Sequence, residues 1–254
     1  MEFSDVIKSV AIAMQAHVPV LLEGNPGEAK TRIVDAIMRQ VCADSHTSIV
    51  ALHEPPEYGG YPVPTENGVR LLPLSWVNRL ALVPQDKIAG LFLDELSNGA
   101  PATRSAAMRG VLDGTWREKH IPALSTAAAM NPPEIAESGY DLSAALANRF
   151  CHIAWDMPVA YWVQALIANF PDPAVPKLPD TWQEHKIRAK TLVAAFAAVK
   201  PDSIKAMPGE ASARSGPWPS FRTWTMAIDL IAACQALGYK LTDIVPVLLV
   251  GGCV

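Results

Sequence analysis

Cysteine is scarce and scattered in this chain. Cys42, Cys151, Cys234 and Cys253 lie far apart and form no CxxC pair, which argues against a zinc site and a disulfide scaffold and fits a reducing cytoplasm. Charge is scarce too. Only 18% of residues are Asp, Glu, Lys or Arg, and the formal net charge is −4, so nothing draws the whole molecule to nucleic acid or an anionic membrane. No Lys/Arg cluster marks a local basic patch. The start, Met1-Glu2-Phe3-Ser4-Asp5, lacks the basic and apolar segments of a signal peptide. Apolar runs are broken well short of the roughly 20 residues that span a bilayer. No pairing of the six histidines has metal-ligand spacing. A soluble cytoplasmic protein is the expectation.

What is present suits a large core. Half of the 254 residues are apolar, enough for one large domain or a core with a small appendage. Short apolar runs at 18–22, 48–52 and 89–93 read as buried parallel strands, with 125–130 and 151–155 as a fourth and fifth. Helical patterns at 31–42 and 101–112 fall between them, as in βαβ units. Beyond Pro158 strand signals stop, and amphipathic stretches at 182–199 and 221–237 follow. The expected division is an α/β core over 1–158 and a helical lid over 159–254. Residues 207–219, rich in Pro, Gly, Ala and Ser, read as a mobile loop. The ending Val250-Gly251-Gly252-Cys253-Val254 reads as an element cut short.

The strongest pattern is Gly24-Asn25-Pro26-Gly27-Glu28-Ala29-Lys30-Thr31, after a strand and before a helix that continues through Arg32. This is a phosphate loop in the setting it requires. Small residues let backbone N–H groups curl around phosphates at a helix N-terminus. Lys30 suits the β- and γ-phosphates, and the Thr31 hydroxyl suits Mg²⁺. Ala29 stands where the pattern normally has glycine. Its methyl costs little if the backbone φ is negative and more if it is positive.

Leu91-Phe92-Leu93-Asp94-Glu95 is an apolar strand ending in two carboxylates. Asp94 is placed to support Mg²⁺ and Glu95 to polarise a water as general base. Alone, the pair could equally cap a following helix.

With Ala129-Met130-Asn131-Pro132-Pro133 and Ala147-Asn148-Arg149-Phe150 following in order, the chain resembles an AAA+ ATPase of the MoxR and dynein-related branch, over residues 18–237. The resemblance implies a P-loop NTPase core with a parallel sheet flanked by helices, plus the lid. It implies ATP and Mg²⁺ as ligands, Asn131 as the residue that orients the lytic water, and Arg149 as a finger reaching a neighbour's γ-phosphate. Arg222, at the start of a lid helix, is similar to the residue that couples lid to nucleotide. The resemblance further implies a hexameric ring of copies and a partner with a von Willebrand factor A-type domain. His53 falls near the family's polar switch position. The segment 54–74, with Tyr58-Gly59-Gly60-Tyr61-Pro62-Val63-Pro64, corresponds to that branch's insert. It could grip a client in a central pore or pack as a surface loop. Asp113-Gly114-Thr115-Trp116-Arg117 matches the branch's hairpin before Asn131. Two other functions stay open: a nucleotide-gated scaffold with little turnover, and a nucleic-acid motor, which the acidic balance disfavours.

Overall fold

The computed structural model describes residues 2–66, 68–116, 119–132, 142–210 and 212–254. The chain opens with α1 (Phe3–Gln15), β1 (Val20–Glu23), α2 (Lys30–Val41) and β2 (Asp44–Ile49). A short helix α3 (Pro55–Gly59) leads to a hairpin of β3 (Tyr61–Thr65) and β4 (Gly68–Leu72), then α4 (Ser75–Leu80). Next come β5 (Ala89–Asp94), α5 (Pro101–Asp113), the small pair β6 (Thr115–Trp116) and β7 (Lys119–His120), and β8 (Leu124–Met130). The rest is α6 (Ala144–Ala147), β9 (Cys151–Ala154), α7 (Val159–Ile167), α8 (Lys186–Val199), α9 (Phe221–Ala236) and α10 (Ile244–Gly251).

The five main strands form one parallel sheet in the order β2-β5-β8-β1-β9. Parallel strands need both faces covered, and alternate residues divide accordingly. Val20, Leu22, Phe92, Ala127 and Ala129 enter a cluster with α1, α2 and α8 to α10. Leu21, Leu91, Leu93, Ala128 and Met130 enter the opposite cluster with α4, α5, Tyr58, Trp76 and Trp116.

Three expectations shift. The second strand lies at 44–49, not 48–52, because it is the sheet edge and its half-exposed residues are polar; Val50–Leu52 is a 3-10 turn. Helix α1 was not anticipated, yet Val6, Ile7, Val10 and Met14 bury one of its faces. Residues 207–219 are partly pinned, since Arg214 Nε and one terminal nitrogen donate to Pro208 O at 2.8 Å and Gly209 O at 2.7 Å. The hairpin after α5 is present as β6 and β7, while Arg117 and Pro133 lie outside the described residues. At the chain's end, His152 N–H donates to Gly252 O at 2.7 Å and Cys253 is buried.

Gly110 illustrates how the second cluster is packed. A Cβ there would meet the Trp116 ring at 1.9 Å, and Trp116 in turn contacts Trp76 edge-on at 5.1 Å. Helix propensity alone predicts that Gly110→Ala stabilises by about 1 kcal/mol. We expect the overlap to win, with a net loss of about 1–3 kcal/mol in chemical denaturation.

Candidate active site

Strands β1, β8 and β5 run parallel, so their C-terminal ends emerge along one sheet edge. Because β8 lies between the other two, the residue after it, Asn131, falls between the phosphate loop after β1 and the carboxylates that end β5.

The loop is held by Trp155, just past β9. Its N–H donates to Glu23 O at 2.7 Å, and its indole Nε1 donates to Glu28 O at 3.0 Å. A Cβ on Gly24 would lie 2.1 Å from the Trp155 carbonyl oxygen, so only glycine fits. Gly27 is different: it has open space around it but a φ of +83°. Ala29 also takes positive φ, +54°. The backbone thus adopts the costly alternative for a side-chain-bearing residue, about 1–2 kcal/mol. Glu95 is likewise left-handed, at +53°. Such strain gathers at sites where surrounding structure over-determines the backbone.

Lys30 is buried, and its ammonium donates to Gly24 O at 2.6 Å and Asn25 O at 2.7 Å. It reaches Asn131 Oδ1 at 3.4 Å. Burial lowers its pKa, against the opposing pull of Glu28 and Asp94. The Thr31 hydroxyl donates to Asp94 Oδ2 at 2.5 Å, while Asp94 Oδ1 accepts the Glu95 N–H at 2.9 Å. Lys30, Thr31, Asp94 and Asn131 therefore meet, with the exposed Glu95 beside them. Within the loop, Asn25 Nδ2 donates to Glu28 Oε1 at 3.1 Å. Arg32 turns elsewhere: it donates to Phe170 O at 2.6 Å and sits 5.5 Å from that ring's centroid. A cleft lined by Gly27, Ala29, Ile33, Tyr161 and Phe170 opens beside the loop.

The Arg149 pKa is lowered by burial first and by the Arg222 charge second. Arg149 donates to Ala145 O, and its buried Nε has no partner among the described residues. Neither guanidinium bonds to a phosphate-loop residue among those described. The neighbourhood is set by Asn148, which is buried, donates to Trp218 O at 3.1 Å and accepts from Ser220 Oγ at 2.7 Å. Ser220 is the N-cap of α9, and Arg222 is in that helix's first turn. His53 lies beyond the 3-10 turn after β2, with its ring on Glu57 and its carbonyl accepting from Thr103 Oγ1 at 3.2 Å.

The donors fit Mg²⁺. A hydroxyl and a carboxylate are hard oxygen ligands, and Mg²⁺ commonly pairs one or two such groups with phosphate oxygens. Among the described residues no group of three His, Cys, Asp or Glu gathers into a dedicated cage. Nor, among them, is any helix long and apolar enough to cross a membrane.

No protein-family model matches the chain, and no curated protein matches it. Solved structures do. One is a protein from Cytophaga hutchinsonii, solved at 2.00 Å resolution and named a "putative ATPase". It is 16% identical, with 91% of this chain and 74% of that chain covered and a TM-score of 0.54. This chain shares its fold. That fold is α/β, a five-stranded parallel sheet flanked by helices.

The residues missed from sequence are supports. Trp155 carried no signal, since its role depends on β9 lying beside β1. Asn148 sat inside the motif quoted for Arg149 but had no evident partner, because Ser220 is 72 positions away. Two outcomes are expected. Ala29→Gly should raise stability by about 0.5–1 kcal/mol, relief of the left-handed strain exceeding the added unfolded-state entropy. Asn148→Ala should lower it by about 1–3 kcal/mol by removing the buried amide that bonds both Trp218 O and Ser220 Oγ. Denaturant titration of both variants measures each change.

Proposed function

We propose that this protein is a Mg²⁺-dependent ATPase of the AAA+ class, related to the MoxR branch, whose sites are shared between copies in a ring. The carrying observation is the Thr31 hydroxyl on the Asp94 carboxylate at 2.5 Å, with Lys30 and Asn131 in the same group. That arrangement presents cationic, hydroxyl and carboxylate groups to one small volume at a helix N-terminus, as a nucleoside triphosphate requires.

In this reading the loop amides and Lys30 bind the phosphates, exchanging the ammonium's present carbonyl partners for phosphate oxygens. Thr31 and Asp94 would hold Mg²⁺. Bound there, Mg²⁺ would neutralise charge on the phosphate oxygens. Glu95 accepts a proton from the attacking water, and Asn131 orients that water. The cleft beside Ala29 takes the base, with Tyr161 and Phe170 as flat apolar walls. Residues 159–254 act as the lid. Arg149 acts on the γ-phosphate of the adjacent copy, and Arg222, in the first turn of α9, couples the lid to the bound nucleotide. The buried Nε of Arg149, without a partner among the described residues, supports a role toward an anion. Turnover would shift lid against core and remodel a partner, with a von Willebrand factor A-type protein the first to seek.

A second reading draws on the strain at Ala29: a nucleotide-holding subunit that assembles without turnover. The two separate on one pair of measurements. ATP at about 100 times its Kd should stabilise the wild type by about 2.7 kcal/mol, and Lys30→Ala should lose this. Glu95→Gln should keep the stabilisation while phosphate release falls at least about a hundredfold. Negligible wild-type turnover, unchanged by Glu95→Gln, would leave the holding subunit standing. A shared site makes a further demand: mixing Arg149→Ala with Glu95→Gln protein should restore part of the activity that each lacks alone. No recovery in a co-assembled mixture would refute sharing.

A further inference from the structure

Residues 170–178, between α7 and the 3-10 turn at Asp180–His185, form no helix or strand. Pro171, Pro173 and Pro176 deprive the segment of main-chain donors. What holds it is a set of side chains from two helices of the core. Arg39 donates to Asp172 Oδ1 at 3.0 Å, and Gln40 Nε2 donates to Pro173 O at 2.9 Å. Gln15, the last residue of α1, donates to Pro176 O at 2.8 Å and accepts from the Leu178 N–H at 2.9 Å. Arg32 shares a face of α2 with Arg39 and Gln40, and it donates to Phe170 O at 2.6 Å. The segment is a strap, fastened along its length.

Its first residue is the strained one. Helix α7 runs into two left-handed residues, Asn169 at φ +58° and Phe170 at +50°. The Phe170 N–H closes the turn on Ala165 O at 2.6 Å. Asparagine suits such a helix end, whereas a bulky phenylalanine does not. Pro171 also disfavours the right-handed helical alternative for the residue before it. The surroundings must therefore hold Phe170 where it is. Arg32 grips it twice: at the carbonyl, and with a guanidinium 5.5 Å from the ring's centroid, within cation–π range. The ring so clamped lines the cleft beside Gly27 and Ala29.

We propose that Arg32 is a positioning residue for the nucleotide's base: it keeps Phe170 left-handed, so that the ring stands ready as a stacking wall, and it does not itself meet the phosphates. This rests on the nucleotide-binding reading above and goes beyond it in assigning the base's hold to the strap. A wall in place before the base arrives avoids the ordering cost that a free loop would incur on binding. Arg32 also lies two residues past Lys30 in α2, so one rigid helix carries both the phosphate contact and the clamp on the wall.

The test is calorimetry on the full chain with Mg²⁺. It compares a non-hydrolysable ATP analogue with inorganic tripolyphosphate, which has the phosphates and lacks the base. Wild type should bind the analogue at least about tenfold more tightly. Arg32→Ala should remove most of that difference and leave tripolyphosphate binding almost unchanged. Phe170→Ala should do the same. The double variant should be no weaker than Phe170→Ala alone, because Arg32 acts through Phe170. Arg32→Lys, which can still donate to the carbonyl and stand over the ring, should recover part of the loss. Equal weakening of both ligands in Arg32→Ala would put Arg32 on the phosphates and overturn the inference. Additive losses in the double variant, or an unchanged affinity for the analogue in Arg32→Ala, would overturn it too. So would a wild type that binds tripolyphosphate as tightly as the analogue, although the phosphate site would then stand. A wild type that binds neither ligand refutes the nucleotide reading, and the inference with it. Should Arg32→Ala fail to fold, Arg32→Met, which keeps the stem without the donors, takes its place.

Discussion

The main chain of Trp155 lies so close to Gly24 that no side chain fits between them. From this contact the site is built outward. The Trp155 amide and indole fasten the phosphate loop at Glu23 and Glu28, and its ring packs edge-on against Phe3 at 4.9 Å. One buried residue thus connects the first helix, the loop and the strand at the sheet's end. With the loop held, Lys30 and Thr31 open α2 at a defined height above the sheet, level with Asp94 and Asn131. The strain at Ala29 and Glu95 is tolerated because packing fixes the backbone on both sides of each residue.

The helices beyond Pro158 join this site through polar contacts as well as through the apolar cluster they share with α1, α2 and the sheet. Asn148, at the end of α6, joins that helix to the N-cap of α9, the helix that carries Arg222. Arg32 and Arg39 tie α2 to the segment after α7, the latter through Asp172 at 3.0 Å. In the proposed reading these links are where a change at the phosphates would be felt by the lid. They are hydrogen bonds and ion pairs, which can be exchanged at modest cost. The buried clusters on the two sheet faces are close-packed and give little.

Most of the α/β core was legible because its elements carry their own periodicity. The buried strands β1, β5, β8 and β9 show as short apolar runs, and α2 and α5 as apolar faces. The edge strand β2 was misplaced because only one of its sides is covered, so its residues, Asp44 to Ile49, are largely polar. The neighbouring apolar run looked more like a strand than the strand did. Helix α1 carries Val6, Ile7, Val10 and Met14 at helical spacing on its buried face. The insert at 54–74 could not be read, since whether Tyr58 is buried depends on Ser48 and Trp116, both outside it.

The sequence by itself determined the chemistry of the candidate site: a phosphate loop, two carboxylates at a strand end, an asparagine and two arginines, in order. Those are local matters of residue type and spacing. Only the tertiary structure decided their grouping. The strand order sets Asn131 between loop and acids, Asn148 joins the segment of Arg149 to the N-cap of the helix that carries Arg222, and the fold of the loop gives Ala29 a positive φ. Each of these rests on contacts between residues distant in the chain, or on a dihedral angle that neighbours impose, and neither is written in a motif.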